Sequence, residues 1–407
     1  MNDIRDLFRQ NRFEQIEAAL NRNDVSAVRR LAMAVRGEYV GAHDGFRDAV
    51  AKTLAYIAGT RGPEIGERVG RECIEELQPA GDPPQYAQAD LRQRVKAIAA
   101  GWHWHATRFS LTEDQEKFTF LLHPCGSGMR LIQEGYYTEG PWGPPLAGKD
   151  DAQLTRSRGS SWSTFMNDGF PIYCNHCSEM NHLALARKSA TFLVEGWTPA
   201  RARGLCIQYT FKDITFVPDD FYRRADLPLP VRGQPSTYRQ VFSESELIDI
   251  QTHPLDKLVD RAESNDLVGA RAALDECLLG WRDSIHDVYR RWLSMLWVQV
   301  YKTLGDSAFG DVVRATAPDL LAHVRATDLL GWAAFWSIHL RLHSIETNQS
   351  GLEFLVGCDS LLQPGILPHE AAWFAQRLNE GLADRHWSDV GQFRAVDQSL
   401  LHSGLKQ

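Results

Sequence analysis

The sequence predicts a predominantly helical α+β protein with one small antiparallel sheet. Apolar residues recur every three to four positions over most of the chain, which is typical of amphipathic helices. Between about residues 118 and 211 the period falls to two, as in half-buried strands, and cysteines cluster there. Short motifs also recur in the same order in both halves. These observations together predict a duplicated helical module, with a cysteine-rich metal lobe in the first half only.

Composition excludes several function classes. The chain has 407 residues, a hydrophobic fraction of 43% and a net charge of −8. An acidic chain without a dense basic patch is a poor partner for nucleic acid. No apolar run approaches the length of a membrane span, and no secretory signal is recognisable. Seven cysteines in so long a chain fit a reducing compartment, so we expect a cytoplasmic protein.

Residues 1–97 are predicted to form an N-terminal helical module. Asn23-Asp24 is expected to cap one helix, and a second, longer helix is expected to begin near His43. The break at Gly59–Pro63 is followed by a shorter helix from about Glu64 to Leu77. A helix from Leu91 to Trp104 then leads into the next lobe.

Residues 98–213 are predicted to form an α/β lobe that is rich in cysteine and binds metal. Its expected elements are strands near Phe118–Leu122, Thr191–Val194 and Leu205–Phe211, and a short helix at Met180–Ala190. The long Gly/Pro/Ser-rich segment 133–171 is typical of a functional loop. Proline-rich residues 214–243 are predicted as a linker, and residues 244–407 as a C-terminal helical module that is a truncated repeat of the first half.

Paired motifs support the repeat. Four pairs occur in the same order: Asn23-Asp24 with Asn265-Asp266, His43-Asp44 with His286-Asp287, Trp102-x-x-His105 with Trp336-x-x-His339, and Cys125 with Cys358. After Cys358 the second copy has no room for the remaining cysteines, so only one metal lobe is complete. We therefore expect a monomeric pseudo-dimer or a homodimer.

Four cysteines predict a metal site. Cys174 and Cys177 have the Cys-x2-Cys spacing that presents two thiolates to one ion from a tight turn, and Cys125 follows a proline in a glycine-rich turn. His182, His176 and His123 are spare ligands. Zinc is the expected metal; an iron–sulfur cluster is the alternative that four thiolates also allow, and ordinary buried thiols are the structural alternative.

Cys206 is the fourth expected ligand. Alternation predicts that Leu205, Ile207, Tyr209 and Phe211 form the buried face of a strand. Cys206 would then lie on the other face with Gln208 and Thr210, which suits a ligand better than a core residue.

Four residues are candidates for acid–base catalysis: His105, His176, His43 and Asp44. His105 belongs to the half that keeps the cysteines. His43 and Asp44 allow a second interpretation, because a carboxylate near the start of a helix stabilises the positive helix end. Five tryptophans near the cysteines predict either an aromatic-walled pocket or core packing: Trp102, Trp104, Trp142, Trp162 and Trp197.

The motifs Pro-Cys-Gly-Ser-Gly (124–128) and Tyr-Cys-x-His-Cys (173–177), after a helix that begins His-Asp, resemble those of a group of uncharacterised bacterial proteins. The likeness covers about residues 40–212, and it implies the same three cysteines and a later strand cysteine at Cys206. His123 departs from the pattern, since an acidic residue is more usual there. The resemblance implies no particular reaction.

The sequence therefore favours a zinc-binding enzyme of small-molecule metabolism that acts by hydrolysis or elimination on a small, amino-acid-derived or aromatic molecule. An open coordination position would let the metal activate water or polarise a carbonyl. The alternative is a non-catalytic protein that binds a small ligand beside a closed, structural four-cysteine zinc site, or an iron–sulfur protein. Neither alternative involves nucleic acid or a membrane.

Overall fold

The structure is a computed structural model, mostly helical with a small antiparallel sheet. It describes residues 12–77, 90–134, 136, 162–165, 170–195, 206–231, 233, 240–282, 285–305, 307–308 and 311–312, and the backbone of three strands between 345 and 396. The chain divides into two compact units, one of Met1–Thr53 with Pro254–Gln407 and one of Leu54–His253. In the described part of the chain, no helix is both long and apolar enough to cross a bilayer.

In the described part of the chain, five helices lie wholly or partly in the first unit. They are α1 (Arg12–Asn21), α2 (Val25–Arg61), α9 (Pro254–Glu263), α10 (Leu267–Arg282) and α11 (Ile285–Leu304). The chain enters α2 through Asn23, whose positive φ of 53° reverses the backbone, and Asp24 accepts from the amide of Ala27. The cap predicted at Asn23-Asp24 is therefore confirmed.

The two helices predicted before Gly59 are one continuous helix, α2, so the prediction of a helix start near His43 is wrong. The buried stripe continues without a break through Val35, Tyr39, His43 and Phe46, at spacings of four, four and three. This uninterrupted packing favours the helical conformation across Gly37 and Gly41, although glycine disfavours it locally. The predicted end is confirmed, because α2 stops at Arg61 before Gly62 with φ of 100°.

The second unit combines short helices with a sheet. Its helices are α3 (Pro63–Leu77), α4 (Leu91–Trp104), α5 (Gly128–Gln133), α6 (Asn175–Ala186), α7 (Asp219–Arg224) and α8 (Glu244–Gln251). Its strands are β1 (Phe109–Glu113), β2 (Lys117–Leu122), β3 (Leu193–Glu195) and β4 (Cys206–Phe211), antiparallel in the order β1-β2-β4-β3. The helix predicted at Leu91–Trp104 is confirmed; strand β1 was not predicted.

Strand β4 corrects the predicted burial of Cys206. Cys206, Gln208 and Thr210 are buried, whereas Ile207 and Tyr209 are only half-buried; of the predicted buried face, Phe211 is buried as expected. The polar side chains of Gln208 and Thr210 can be buried on this face because they are hydrogen-bonded. Trp102 Nε1 donates to Gln208 Oε1 at 3.3 Å, and Thr210 Oγ1 donates to the carbonyl of Thr191 at 2.7 Å. Both faces of β4 are at least half-buried, so alternation alone could not decide which face is the more deeply buried.

The segment 214–243 contributes to the second unit. Helix α7 packs Phe221 and Tyr222 into a core cluster with Leu193 and Phe211. Val241 and Phe242 follow α7 in the chain, and their backbone amides donate hydrogen bonds to the carboxylate of Glu113. The same carboxylate forms a buried ion pair with Lys212 at 2.7 Å, so its charge is compensated.

A further sheet is described by its backbone alone. Strand β6 (Gly351–Gly357) pairs antiparallel with β5 (Ile345–Asn348) and parallel with β7 (Gly391–Val396). The other predictions for the C-terminal half, including Trp336, His339 and Cys358, lie outside the described residues. So do most of the loop 133–171, Trp142 and Trp197.

Candidate functional site

The turn that carries Cys125 is fixed against the end of α4. The amide of Gly126 donates to Thr107 Oγ1 at 2.7 Å, and that hydroxyl donates to the carbonyl of His105. A Cβ atom on Gly126 would lie 1.5 Å from the same carbonyl oxygen, so only glycine fits. His105 is buried and caps α4, and its ring centroid lies 5.6 Å from that of Trp102.

Two cysteines contact the backbone at the start of α5. Cys125 Sγ accepts from the amide of Met129 at 3.3 Å and lies 3.9 Å from Ser127 Oγ. Cys174 Sγ packs against Gly128, where a Cβ atom would lie 2.2 Å from the sulfur. The motif Cys-Gly-Ser-Gly therefore brings the buried thiols of Cys125 and Cys174 to one short segment of backbone.

The Cys-x2-Cys motif lies at the start of a helix, which corrects the predicted tight turn and the predicted helix start near Met180. A 3-10 turn at Ile172–Cys174 passes directly into α6, so Cys174 is the N-cap and Cys177 lies in the first helical turn. Pro171 explains this boundary, since its fixed φ suits the residue before a helical turn. The first turn of a helix stabilises a thiolate, because the helix dipole is positive there.

Cys177 and His176 form a thiol–imidazole pair. His176 Nε2 lies 3.3 Å from Cys177 Sγ, and His176 Nδ1 lies 2.5 Å from the carbonyl of Tyr173. A carbonyl only accepts, so Nδ1 carries the proton and Nε2 of the neutral ring is the acceptor facing the thiol. Both residues are half-buried. A thiol, an imidazole and a carbonyl that orients the imidazole are the groups that nucleophilic catalysis by cysteine requires.

His182 lies in the second half of α6. Its Nδ1 donates to the carbonyl of Ala225 at 2.7 Å, and its ring stacks on Trp162 with centroids 4.5 Å apart. The guanidinium of Arg71, on α3, lies 5.8 Å from the centre of the Trp162 ring. Trp162 therefore lies between a histidine and an arginine.

Glu179 was not predicted as a site residue. It is 2% exposed, and both carboxyl oxygens lack a hydrogen-bond partner in the described residues. Burial raises the pKa of this carboxyl well above its usual value; nearby Arg71 opposes the rise, while Glu75 and Glu67 add to it. The spacing Glu179-x-x-His182 puts both side chains on one helix face, and that spacing was the available signal.

His43 and Asp44 belong to the first unit. They lie in the middle of α2, buried, which contradicts the interpretation that Asp44 caps a helix start. His43 Nδ1 contacts Asp44 Oδ1 at 3.0 Å, and Arg47 pairs with Asp44 and Asp48 at 3.6 and 2.7 Å. The result is a compensated network of buried charges, whose members stabilise one another.

The described cysteines and histidines do not form a complete metal site. Among the residues that the structure describes, no three side chains of His, Cys, Asp or Glu converge as one metal ion would need. Cys206 is buried at the start of β4, opposite Leu122 of β2. His123 Nε2 lies 3.1 Å from Ser110 Oγ on the exposed side of the sheet.

Comparison with known proteins gives no relative. No protein-family model, no curated protein and no solved structure matches this chain.

Proposed function

We propose that the chain is an enzyme that transforms a small molecule through Cys177 as nucleophile and His176 as base. One observation carries the proposal: the contact of 3.3 Å between Cys177 Sγ and His176 Nε2, in a ring whose other nitrogen faces the Tyr173 carbonyl. The position of Cys177 in the first turn of α6 adds support, because the helix dipole lowers the free energy of the thiolate.

Hydrolysis follows from this pair in two steps. His176 Nε2 takes the thiol proton, Cys177 Sγ bonds to an electrophilic carbon of the substrate, and the leaving group departs with the proton from His176. Water then adds to the same carbon, the carbon–sulfur bond breaks, and the thiol recovers its proton. In an elimination, His176 Nε2 would instead take a proton from a substrate carbon, and the leaving group would depart from the neighbouring carbon with its bonding electrons as the double bond forms. The substrate remains the small, amino-acid-derived or aromatic molecule that the sequence favours.

A zinc site, or an iron–sulfur cluster, is the second candidate. Its support is the approach of Cys125 and Cys174 to the same segment at Gly128 and Met129. The other metal ligands that the sequence predicts are Cys177, Cys206 and His182. Zinc held by these residues would activate water or stabilise the fold of the lobe. Among the described residues, however, no three of these side chains converge on one point.

Alkylation tests the thiol proposal. Iodoacetamide should modify Cys177 fastest near neutral pH, as peptide mass spectrometry would show. Cys277 is the internal control, because burial raises the pKa of its thiol and covers it. His176→Asn removes the base that faces the thiol, so alkylation of Cys177 should slow near neutral pH and its pH profile should change. Reaction with p-nitrophenyl acetate should leave an acetyl group on Cys177, and Cys177→Ser should abolish it.

Two results would decide against the proposal. One is metal-free protein in which Cys177 reacts no faster than Cys277; the other is a His176→Asn variant with an unchanged pH profile. Elemental mass spectrometry with a visible spectrum tests the second candidate. Zinc or iron that is bound in the wild type and lost in Cys174→Ser supports a metal site, and its absence removes this candidate.

A further inference from the structure

The face of α6 opposite Cys177 carries polar groups with unused hydrogen-bonding capacity among the described residues. Cys177 and Glu179 are two residues apart, and at about 100° per residue their side chains leave the helix on opposite sides. Glu179 faces α3, where Arg71, Glu67 and Glu75 are its charged neighbours. His182 lies one turn further along the same face.

Three groups on this face have unused hydrogen-bonding capacity in the described residues. Both carboxyl oxygens of Glu179 are unpartnered, although the residue is 2% exposed. Half-buried Arg71 lies over the Trp162 ring, but among the residues that the structure describes it forms neither an ion pair nor a hydrogen bond. His182 uses Nδ1 for the Ala225 carbonyl, which leaves Nε2 as an acceptor.

Burying unpartnered polar groups costs free energy, about 1–3 kcal/mol for each group. A structure that needed only helix packing here would place apolar residues on this face. A built ligand site explains the arrangement, because a ligand would supply the missing partners.

The charges define the ligand. A simple anion could use Arg71 but would meet the carboxyl groups of Glu67, Glu75 and Glu179. A simple cation could use Glu179 but would meet Arg71. Arg71 influences the Glu179 carboxyl electrostatically but forms no salt bridge with it in the part of the chain that the structure describes, so each group can pair with an opposite charge of one ligand.

We propose that the α3–α6 face is a binding site for a small zwitterion with an ammonium and a carboxylate group, such as a free amino acid. Arg71 binds the carboxylate with its guanidinium fork. Glu179 and His182 Nε2 accept hydrogen bonds from the ammonium. Trp162, held between Arg71 and His182, fixes both side chains in position. This site does not depend on the proposed thiol chemistry, because Cys177 lies on the other side of α6.

Titration of the full-length protein with the standard L-amino acids tests the proposal, by calorimetry and by the shift in melting temperature. At least one amino acid should bind. Its amide, which lacks the carboxylate, and its analogue without the amino group should each bind about tenfold more weakly or worse, since a site that pairs a polar group rejects molecules lacking it.

Matched variants locate the site. Glu179→Gln keeps the shape and removes a buried acid, so the variant should fold with an equal or higher melting temperature yet lose about tenfold or more in affinity. Arg71→Gln should lose as much. Arg68→Gln, on exposed α3 surface, is the control and should bind as the wild type does. Alkylation of Cys177 should be unchanged in Glu179→Gln, so the two proposals can fail separately.

The proposal is overturned if no amino acid binds the wild type, or if Glu179→Gln binds as tightly as the wild type does. Equal binding of the analogue without an amino group would also overturn it, because Glu179 would then have no part in recognition.

Discussion

Single residues set the geometry of the cysteine lobe, and Gly126 is the clearest example. Its Cα lies so near the His105 carbonyl that a Cβ atom would overlap the oxygen. This approach keeps the Cys125 turn against α4. The tightest constraint in the lobe therefore comes from a residue without a side chain.

Gly126→Ala should destabilise the protein by about 3 kcal/mol or more, because backbone must move on one side of the contact. Gly101→Ala is the matched control: it lies on exposed α4, where a Cβ atom meets nothing within 4 Å. That change should stabilise the helix by up to about 1 kcal/mol. Urea unfolding measures both, and similar stabilities for the two variants would contradict the structure.

For single residues, the sequence predicted which side chains are chemically reactive better than it predicted which of them touch. The cysteines and histidines were selected because few side chains offer such chemistry. The contact between His176 and Cys177 was not predicted, since it depends on where α6 begins. Glu179 was missed because most glutamates are exposed, and only the packing of α6 on α3 buries this one.

At the scale of elements, Asn181 joins helix α6 to the sheet. Its Nδ2 donates to the carbonyl of Val194 and its Oδ1 accepts from the amide of Val194, both at 2.8 Å. Strand β3 is at one side of the four-stranded order, so its outer edge lacks a strand partner in that sheet. The buried amide of Asn181 supplies these bonds and fixes the helix that carries Cys177.

Asn181→Asp should destabilise the protein by about 1–3 kcal/mol, because a carboxylate cannot donate to the Val194 carbonyl. Asn21→Asp is the control. Asn21 is exposed, and its Oδ1 accepts from Arg271 at 2.8 Å, a bond that aspartate keeps. Chemical denaturation compares the two changes; an equal loss in both would show that Asn181 has no special role.

Helix boundaries were predictable where glycine, proline or an Asx residue marks them. The ends of α2 and α3 and the bounds of α4 agree with the sequence patterns. Boundaries without such residues were not predictable. The 3-10 turn that extends α6 to the Cys-x2-Cys motif, and the continuity of α2 through two glycines, are decided by tertiary packing.

For the whole molecule, the predicted repeat gains local support. Asn23 and Asn265 both have positive φ, of 53° and 60°. The aspartate after each accepts from the amide three residues later, Ala27 for Asp24 and Gly269 for Asp266. The two motifs thus form the same helix start, as duplication would produce. Duplication itself stays a proposal, because most of the other paired motifs lie outside the described side chains.

Asp24→Ala and Asp266→Ala should therefore lower the melting temperature by similar amounts, since each removes an equivalent N-cap. Serine at either position should restore most of the loss, because its hydroxyl also caps. Differential scanning calorimetry measures both effects. A loss at one position only would count against equivalent roles for the two motifs.

The division into units has a consequence for biosynthesis. Residues 54–253 form one unit, whereas the other combines residues 1–53 with residues 254 onward. A ribosome makes the chain in one direction and at a limited rate. All of the second unit thus leaves the ribosome before the first unit has received its later segment. During that interval, the apolar side of α1 and of the early turns of α2 lacks the segment that completes its unit. Chaperones can therefore bind this apolar surface while the chain is still being synthesised.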